Sequence, residues 1–166
     1  MDVQAKKTVL RMIPYGLYVL TAESNGNVAA STVNWVTQAS FEPPLVAVGV
    51  KAGSGAHELI KKSKAFALNV LGKGQNDMAF SFFKPLEREG DSIGGQVFTI
   101  GDSGAPVLAN AAASLECKLV ETLEHGDHSI FLGEVIGAGL NAEIDGRPDN
   151  ATLALGDLGE STFYGG

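Results

Sequence analysis

Ser31-Thr32-Val33-Asn34-Trp35-Val36-Thr37-Gln38-Ala39-Ser40-Phe41-Glu42-Pro43-Pro44 leads into the apolar run Leu45–Val50, and that run into Lys51-Ala52-Gly53-Ser54-Gly55-Ala56-His57. Successive residues of a strand point to opposite faces, so the first part presents a side dense in hydroxyls and amides, carries the one tryptophan, and has no charge before Glu42. Such a face suits a planar, hydrogen-bonding ligand. The last part sets a lysine and two glycines before a helical run, Ala56 to Lys64, with Ser54 as its N-cap. Free N–H groups and the positive end of a helix dipole make that place an anion site. A polar wall followed by an anion pocket describes one ligand with a flat head and a phosphate tail.

Upstream, Val3 to Met12 reads as a short helix that half-buries Val3 and Leu10 and is ended by Pro14. Asn25-Gly26 is a two-residue hairpin turn joining strands Leu17–Ala22 and Val28–Trp35. Downstream, Leu45 to Val50 is a continuous apolar run of the kind covered on both faces, and Ala65 to Leu71 repeats it. Asn76 to Phe83 reads as a second short helix and Lys84 to Gly95 as a charged loop. Val97 to Leu108, broken by Gly101, Gly104 and Pro106, reads as short extended pieces. Ala113 to His125 and Ser129 to Gly139 form a long hairpin about Gly126-Asp127, and Thr152 to Leu155 a last strand before the irregular Thr162-Phe163-Tyr164-Gly165-Gly166. Many short strands, 21 glycines and only short helices predict a mainly β fold, a small barrel with helical plugs, as one domain over 1–166.

A chain of 166 residues with 45% hydrophobic content is long enough to bury its own core. Its net charge of −7 argues against a nucleic-acid partner, which needs a basic face. The charge is uneven: residues 51 to 64 hold Lys51, Lys61, Lys62 and Lys64 against Glu58, so +3, which leaves −10 elsewhere. The three helical lysines fit a solvated face equally well. Lys51, ahead of the helix, is the better ligand candidate. Cys117 is the only cysteine, which excludes an internal disulfide, a four-thiolate metal site and a dithiol redox pair. Lys6, Lys7 and Arg11 before Met12–Leu20 mimic a secretory leader, but Pro14 and Gly16 interrupt it, and no apolar run reaches bilayer length. A cytoplasmic protein with no membrane partner is the expectation.

Five pieces, taken in order, resemble the flavin reductase-like, FMN-binding split-barrel family, and within it the flavin domains of high-molecular-weight rubredoxins and of flavodiiron fusions. They are Tyr15-Gly16-Leu17-Tyr18-Val19-Leu20-Thr21, the Asn34-to-Pro44 stretch, Lys51 with Ser54 and His57, the Phe66-to-Leu71 strand, and Gly126-Asp127-His128 with Gly133-Glu134-Val135. The resemblance covers nearly the whole chain and implies a split β-barrel that forms a homodimer with FMN, ahead of FAD, near the interface. It implies that Thr32, Val33, Asn34 and Trp35 line the isoalloxazine, while Ser40, Lys51, Ser54 and His57 surround the ribityl chain and phosphate. It also implies that His128 lies beside the flavin and the nicotinamide site as the catalytic histidine. The four-cysteine iron domain of the rubredoxins has no counterpart in a chain with one cysteine. Electrons passed on would therefore go to a separate small-molecule or protein acceptor.

The chemistry of the residues accords with that implication. An isoalloxazine edge offers acceptors at O2, O4 and N5 and a donor at N3, which neutral groups such as Asn34 and Thr32 match. Read without the resemblance, Trp35 is equally a core aromatic, Ser54 a simple helix cap and His128 a surface turn residue. His57 near a helix start favours its neutral form unless a phosphate dianion sits beside it. His125, Asp127 and His128 lack the facing geometry and third strong ligand of a metal site, so none is expected. No nucleophile elbow and no glycine-rich dinucleotide fingerprint is present, so NADH or NADPH would bind transiently over the flavin. The readings are an NAD(P)H-dependent flavin reductase or a non-enzymatic FMN-binding electron-transfer protein.

Overall fold

The computed structural model describes residues 1–166 and holds two antiparallel sheets and a few short helices. Helix α1 (Val3–Arg11) is followed by strands β1 (Tyr18–Ser24), β2 (Asn27–Val33), β3 (Val36–Ser40) and β4 (Leu45–Lys51), helix α2 (Gly55–Ser63), strand β5 (Ala65–Val70) and helix α3 (Asn76–Ser81). Short strands β6 (Arg88–Glu89), β7 (Ser92–Ile93), β8 (Gln96–Ile100) and β9 (Pro106–Leu108) make the small sheet. The long hairpin of β10 (Ala113–Glu124) and β11 (His128–Leu140) completes the large one, whose order is β2-β1-β5-β10-β11-β4-β3. The two edge strands of the large sheet, β2 and β3, are consecutive in sequence. The barrel is therefore split where the chain passes Asn34 and Trp35, and α2 packs across β1 and β2 beside that opening.

Local chemistry sets the connections. Asn25 (φ 54°) and Gly26 (φ 82°) both adopt the left-handed region that a tight hairpin requires. Register shifts at Glu116/Cys117 and Leu119/Glu121 mark bulges that bend the β10–β11 arm around the barrel. Central β5 is covered on both faces, Phe66 and Leu68 entering one apolar cluster with Val46, Val48, Ile60, Cys117 and Phe131. The second cluster, with Leu17, Leu71, Phe82, Phe98 and Leu108, fills the space between the barrel, the small sheet and α3. Asn69 pins the two layers together. Its buried amide donates to the Val19 carbonyl at 3.0 Å and the Thr21 hydroxyl at 3.1 Å, and its Oδ1 accepts from Leu108 N–H at 2.8 Å. Cys117 packs as a hydrophobe, its thiol pushed up to about 12 by burial and by the neighbouring Glu116 charge.

Four expectations are corrected. The strand read as Val28–Trp35 leaves its ladder after Val33, because Val36 and Gly49 bond back to Asn34 and Trp35 and start a new edge strand. Strand β4 is covered on one side only: Val46, Val48 and Val50 are buried, whereas Leu45, Ala47 and Gly49 face Trp35 and solvent. Helix α1 buries nothing; Val3 and Leu10 stay 72% and 42% exposed, since no other element of the chain covers its apolar side. Thr152 and Ala154 make only isolated bridges, to Gly72 and Gly16, before a 3-10 turn at Leu155–Leu158. No helix is long and apolar enough to cross a membrane.

Candidate functional site

The split between β2 and β3 opens onto a cleft of ≈ 830 Å³, within the range of about 300–1,000 Å³ common for ligand pockets. One wall is the end of β2. Thr32 lines it by its backbone, its own N–H donating to Phe82 carbonyl at 3.1 Å and its hydroxyl to Ala79 carbonyl at 2.7 Å, so the side chain is committed to α3. Val33 and Asn34 follow. Asn34 is buried, with its Nδ2 donating to the Tyr164 carbonyl at 3.3 Å.

The opposite wall is the mouth of α2. Ser54 accepts from His57 N–H at 3.3 Å, and its carbonyl takes Glu58 N–H, as an N-cap should. The N–H groups of Gly55 and Ala56 have no partner in the chain, which is the arrangement that receives an anion. Gly53 (φ +73°) makes the turn that aims them into the cleft. Lys51, at the end of β4, lines the same cleft directly opposite His128 on β11.

His128 sits where these walls meet. Its Nδ1 is 2.9 Å from Asp127 Oδ1 and its Nε2 is 2.7 Å from the Tyr164 hydroxyl. The hydrogen bond from His128 holds the Asp127 carboxyl below its usual range. Burial, then the Asp127 charge, raises the Tyr164 hydroxyl above its ordinary value. Trp35 stacks obliquely behind, its ring 4.6 Å from His128 and 5.5 Å from Tyr164. Gly49 lies under that indole: a Cβ there would stand 3.0 Å from Trp35 Cε3, so the ring would have to shift by a few tenths of an ångström. The indole Nε1–H is buried and has no hydrogen-bond partner, the one such side-chain atom in the chain.

The cleft thus brings together Thr32, Val33, Asn34, Lys51, Ser54 and His128, and leaves out Trp35, Ser40 and His57. Ser40 ends β3, paired with Leu45 beyond the bulge at Gln38/Ser40 and away from the opening. His57, expected at the phosphate, does not line the cleft. As the third residue of α2 it turns into the barrel, 4% exposed, its Nε2 2.9 Å from the Ser129 hydroxyl and its ring edge-on to Phe131. Its N–H is taken by Ser54, so no atom of it is offered to a phosphate. Residues that sequence reading missed are Phe83 to Leu86 and Thr162 to Tyr164, which also line the cleft. Their only signal was an aromatic pair, Phe163-Tyr164, in an otherwise polar tail. No group of three or more His, Cys, Asp or Glu side chains is placed to hold a metal ion.

A neutral hydrogen-bonding wall, a cationic helix mouth and a pocket of adequate size fit a flavin mononucleotide. Comparison with known proteins leads to the same class. The family described as flavin reductase like domain matches residues 10–156. The chain belongs to that family. A probable flavin reductase of Rhizobium meliloti is 31% identical over 144 residues, covering 84% of this chain and 45% of that protein. The high molecular weight rubredoxin of Moorella thermoacetica is 32% identical over 131 residues, covering 78% of this chain and 57% of that protein. The chain thus spans about half the length of these curated relatives. Among solved structures, the Streptomyces globisporus NADH:FAD oxidoreductase SgcE6 superposes with a TM-score of 0.71 at 33% identity, covering 83% of this chain and 82% of that one.

Proposed function

We propose that the cleft holds FMN, with the ring toward Asn34 and His128 and the phosphate at the mouth of α2, and that the protein is an NAD(P)H-dependent flavin reductase. The observation that carries this is the continuity of one cleft from the neutral wall of β2 to the free N–H groups of Gly55 and Ala56 beside Lys51. When bound, the flavin supplies a two-electron carrier able to take a hydride from a nicotinamide. The chain's own residues then bind, orient and shield. Lys51 and the α2 N–H groups neutralise the phosphate, and the β2 backbone fixes the ring plane. His128 places a hydrogen-bonding group where a second ligand would meet the ring. Electrons then leave to an acceptor, small molecule or protein.

The purified protein is expected to be yellow or to become so with FMN, and to bleach rapidly on anaerobic addition of NADH or NADPH. A colour that survives both nucleotides removes the reductase reading and puts a non-enzymatic FMN-binding carrier in its place. Chromatography of the released flavin separates FMN from FAD, the flavin named for the Streptomyces globisporus protein.

We further propose a homodimer. Val120, Leu123, Ile130 and Ile136 leave apolar side chains exposed on the β10–β11 arm, and Val9 and Leu10 of α1, with Met12 just after it, are uncovered, surface that a second copy of the chain would bury. Light scattering should weigh two chains. A monomer at micromolar concentration would remove this part of the reading.

A further inference from the structure

Asp127, His128 and Tyr164 form a chain of hydrogen bonds whose polarity is fixed by elementary chemistry. Asp127, held low by its bond to His128, is an ionised acceptor at neutral pH, so His128 Nδ1 must donate to it. A neutral imidazole carries one donor and one acceptor. In that neutral form Nε2 accepts from the Tyr164 hydroxyl, a phenol that is protonated at neutral pH. The other charged group near this chain is Lys51, opposite His128 on β4 and acting on Asp127 in the same direction as the imidazole.

Tyr164 is itself held in place. Its carbonyl accepts from Asn34, the next carbonyl, of Gly165, accepts from Arg11 Nε at 3.2 Å, and the Arg11 guanidinium lies 4.3 Å over the Phe163 ring. Residues 162 to 164 line the cleft on one side and a second cavity of ≈ 680 Å³, against α1, on the other, so the segment is a partition anchored on both faces. Gly165 lies against the edge of the Trp35 indole, where the unpartnered Nε1–H is buried.

We propose that Tyr164 is a positioning residue: its hydroxyl, bonded to His128 Nε2 at the other end of the ring from Asp127, holds the imidazole in one orientation at the point where the second ligand enters. This rests on the flavin reductase reading for its consequence in turnover, though not for the geometry itself. Tyr164→Phe keeps the ring against Trp35 and the carbonyl bond to Asn34 while deleting only the hydroxyl. In the ligand-free protein, proton–proton NOEs between the His128 ring and the Trp35 indole, whose centroids are 4.6 Å apart, should report one imidazole orientation in the parent. In Tyr164→Phe they should weaken as the ring averages over more than one orientation.

With FMN added, the variant should keep its FMN dissociation constant within about threefold. It should lose about tenfold in kcat/KM for the pyridine nucleotide, which is what one neutral hydrogen bond can be worth. Unchanged ring NOEs in Tyr164→Phe would show that Asp127 and Trp35 hold the imidazole without the hydroxyl and overturn the proposal. An equal loss of FMN affinity would also overturn it, making Tyr164 a flavin contact. If neither nucleotide reduces even the parent protein, the reductase reading falls while the ring-orientation measurement still decides the role of Tyr164.

Discussion

Phe66→Ala should be the most destabilising single truncation in the barrel, lowering unfolding free energy by about 3–5 kcal/mol. For a chain of this size that is a fall in Tm of roughly 10 °C. Phe66 is fully buried near the start of β5, and its ring fills the space above Gly133 on β11 and beside Cys117 on β10. A Cβ on residue 133 would stand 2.5 Å from Phe66 Cζ and 2.9 Å from the Cys117 Cβ. The ring and the glycine are thus two halves of one packing solution that lets β5, β10 and β11 curve together. Gly133→Ala alone should cost about 1–3 kcal/mol through overpacking. The double variant should then be more stable than the sum of the two losses, because the new methyl occupies part of the void left by the ring. Urea unfolding of all four proteins measures this. Strict additivity would show that Phe66 and Gly133 do not share the space.

Elements governed by neighbours in sequence were legible before any coordinates. The Asn25-Gly26 turn needs positive φ at both positions and little else, and the α2 N-cap needs only Ser54 in front of a helical run. The long hairpin about Gly126-Asp127 was legible for the same reason. What escaped depends on partners far along the chain. Nothing near Leu45–Val50 says that one side of β4 faces Trp35 rather than a second layer; that follows from β3 being a sheet edge. Likewise α1 shows an amphipathic pattern, yet no element of the chain is left to cover it.

The site divides in the same way. Thr32, Asn34, Lys51 and Ser54 reach the cleft because each sits at a strand end or helix mouth that local rules locate. The side-chain direction of His57 was decided by a cross-barrel partner, Ser129, 72 residues away. A histidine at the third helical position reads as available to an anion only while its ring direction is unknown. Tyr164 lay outside the sequence reading altogether, since its bonds to Asn34 and His128 span 130 and 36 residues. A fold brings such a residue to a site without leaving a local pattern.

Lys51→Ala should weaken FMN binding by about 10- to 100-fold, the 1.5–3 kcal/mol typical of a hydrogen bond to a charged group, whereas Lys62→Ala should change it by about twofold at most. Neither lysine is engaged in an ion pair within the chain, so a difference between them must come from where they stand. Lys51 ends β4 and lines the cleft beside the free N–H groups that open α2. Lys62 is exposed in the last turn of the same helix, where its charge meets the negative end of the dipole and stabilises the helix by about 0.3–1 kcal/mol. Fluorescence titration of FMN at low and moderate salt separates the two effects. The deficit of Lys51→Ala should shrink as salt rises, because a lysine at the rim of an open cleft acts partly through a screened field. Stability of Lys62→Ala should drop slightly with no change in affinity. Should both variants bind FMN as the parent does, the phosphate does not sit at the mouth of α2. The cleft would then have to take its ligand in another orientation, with the helix N-terminus open to water.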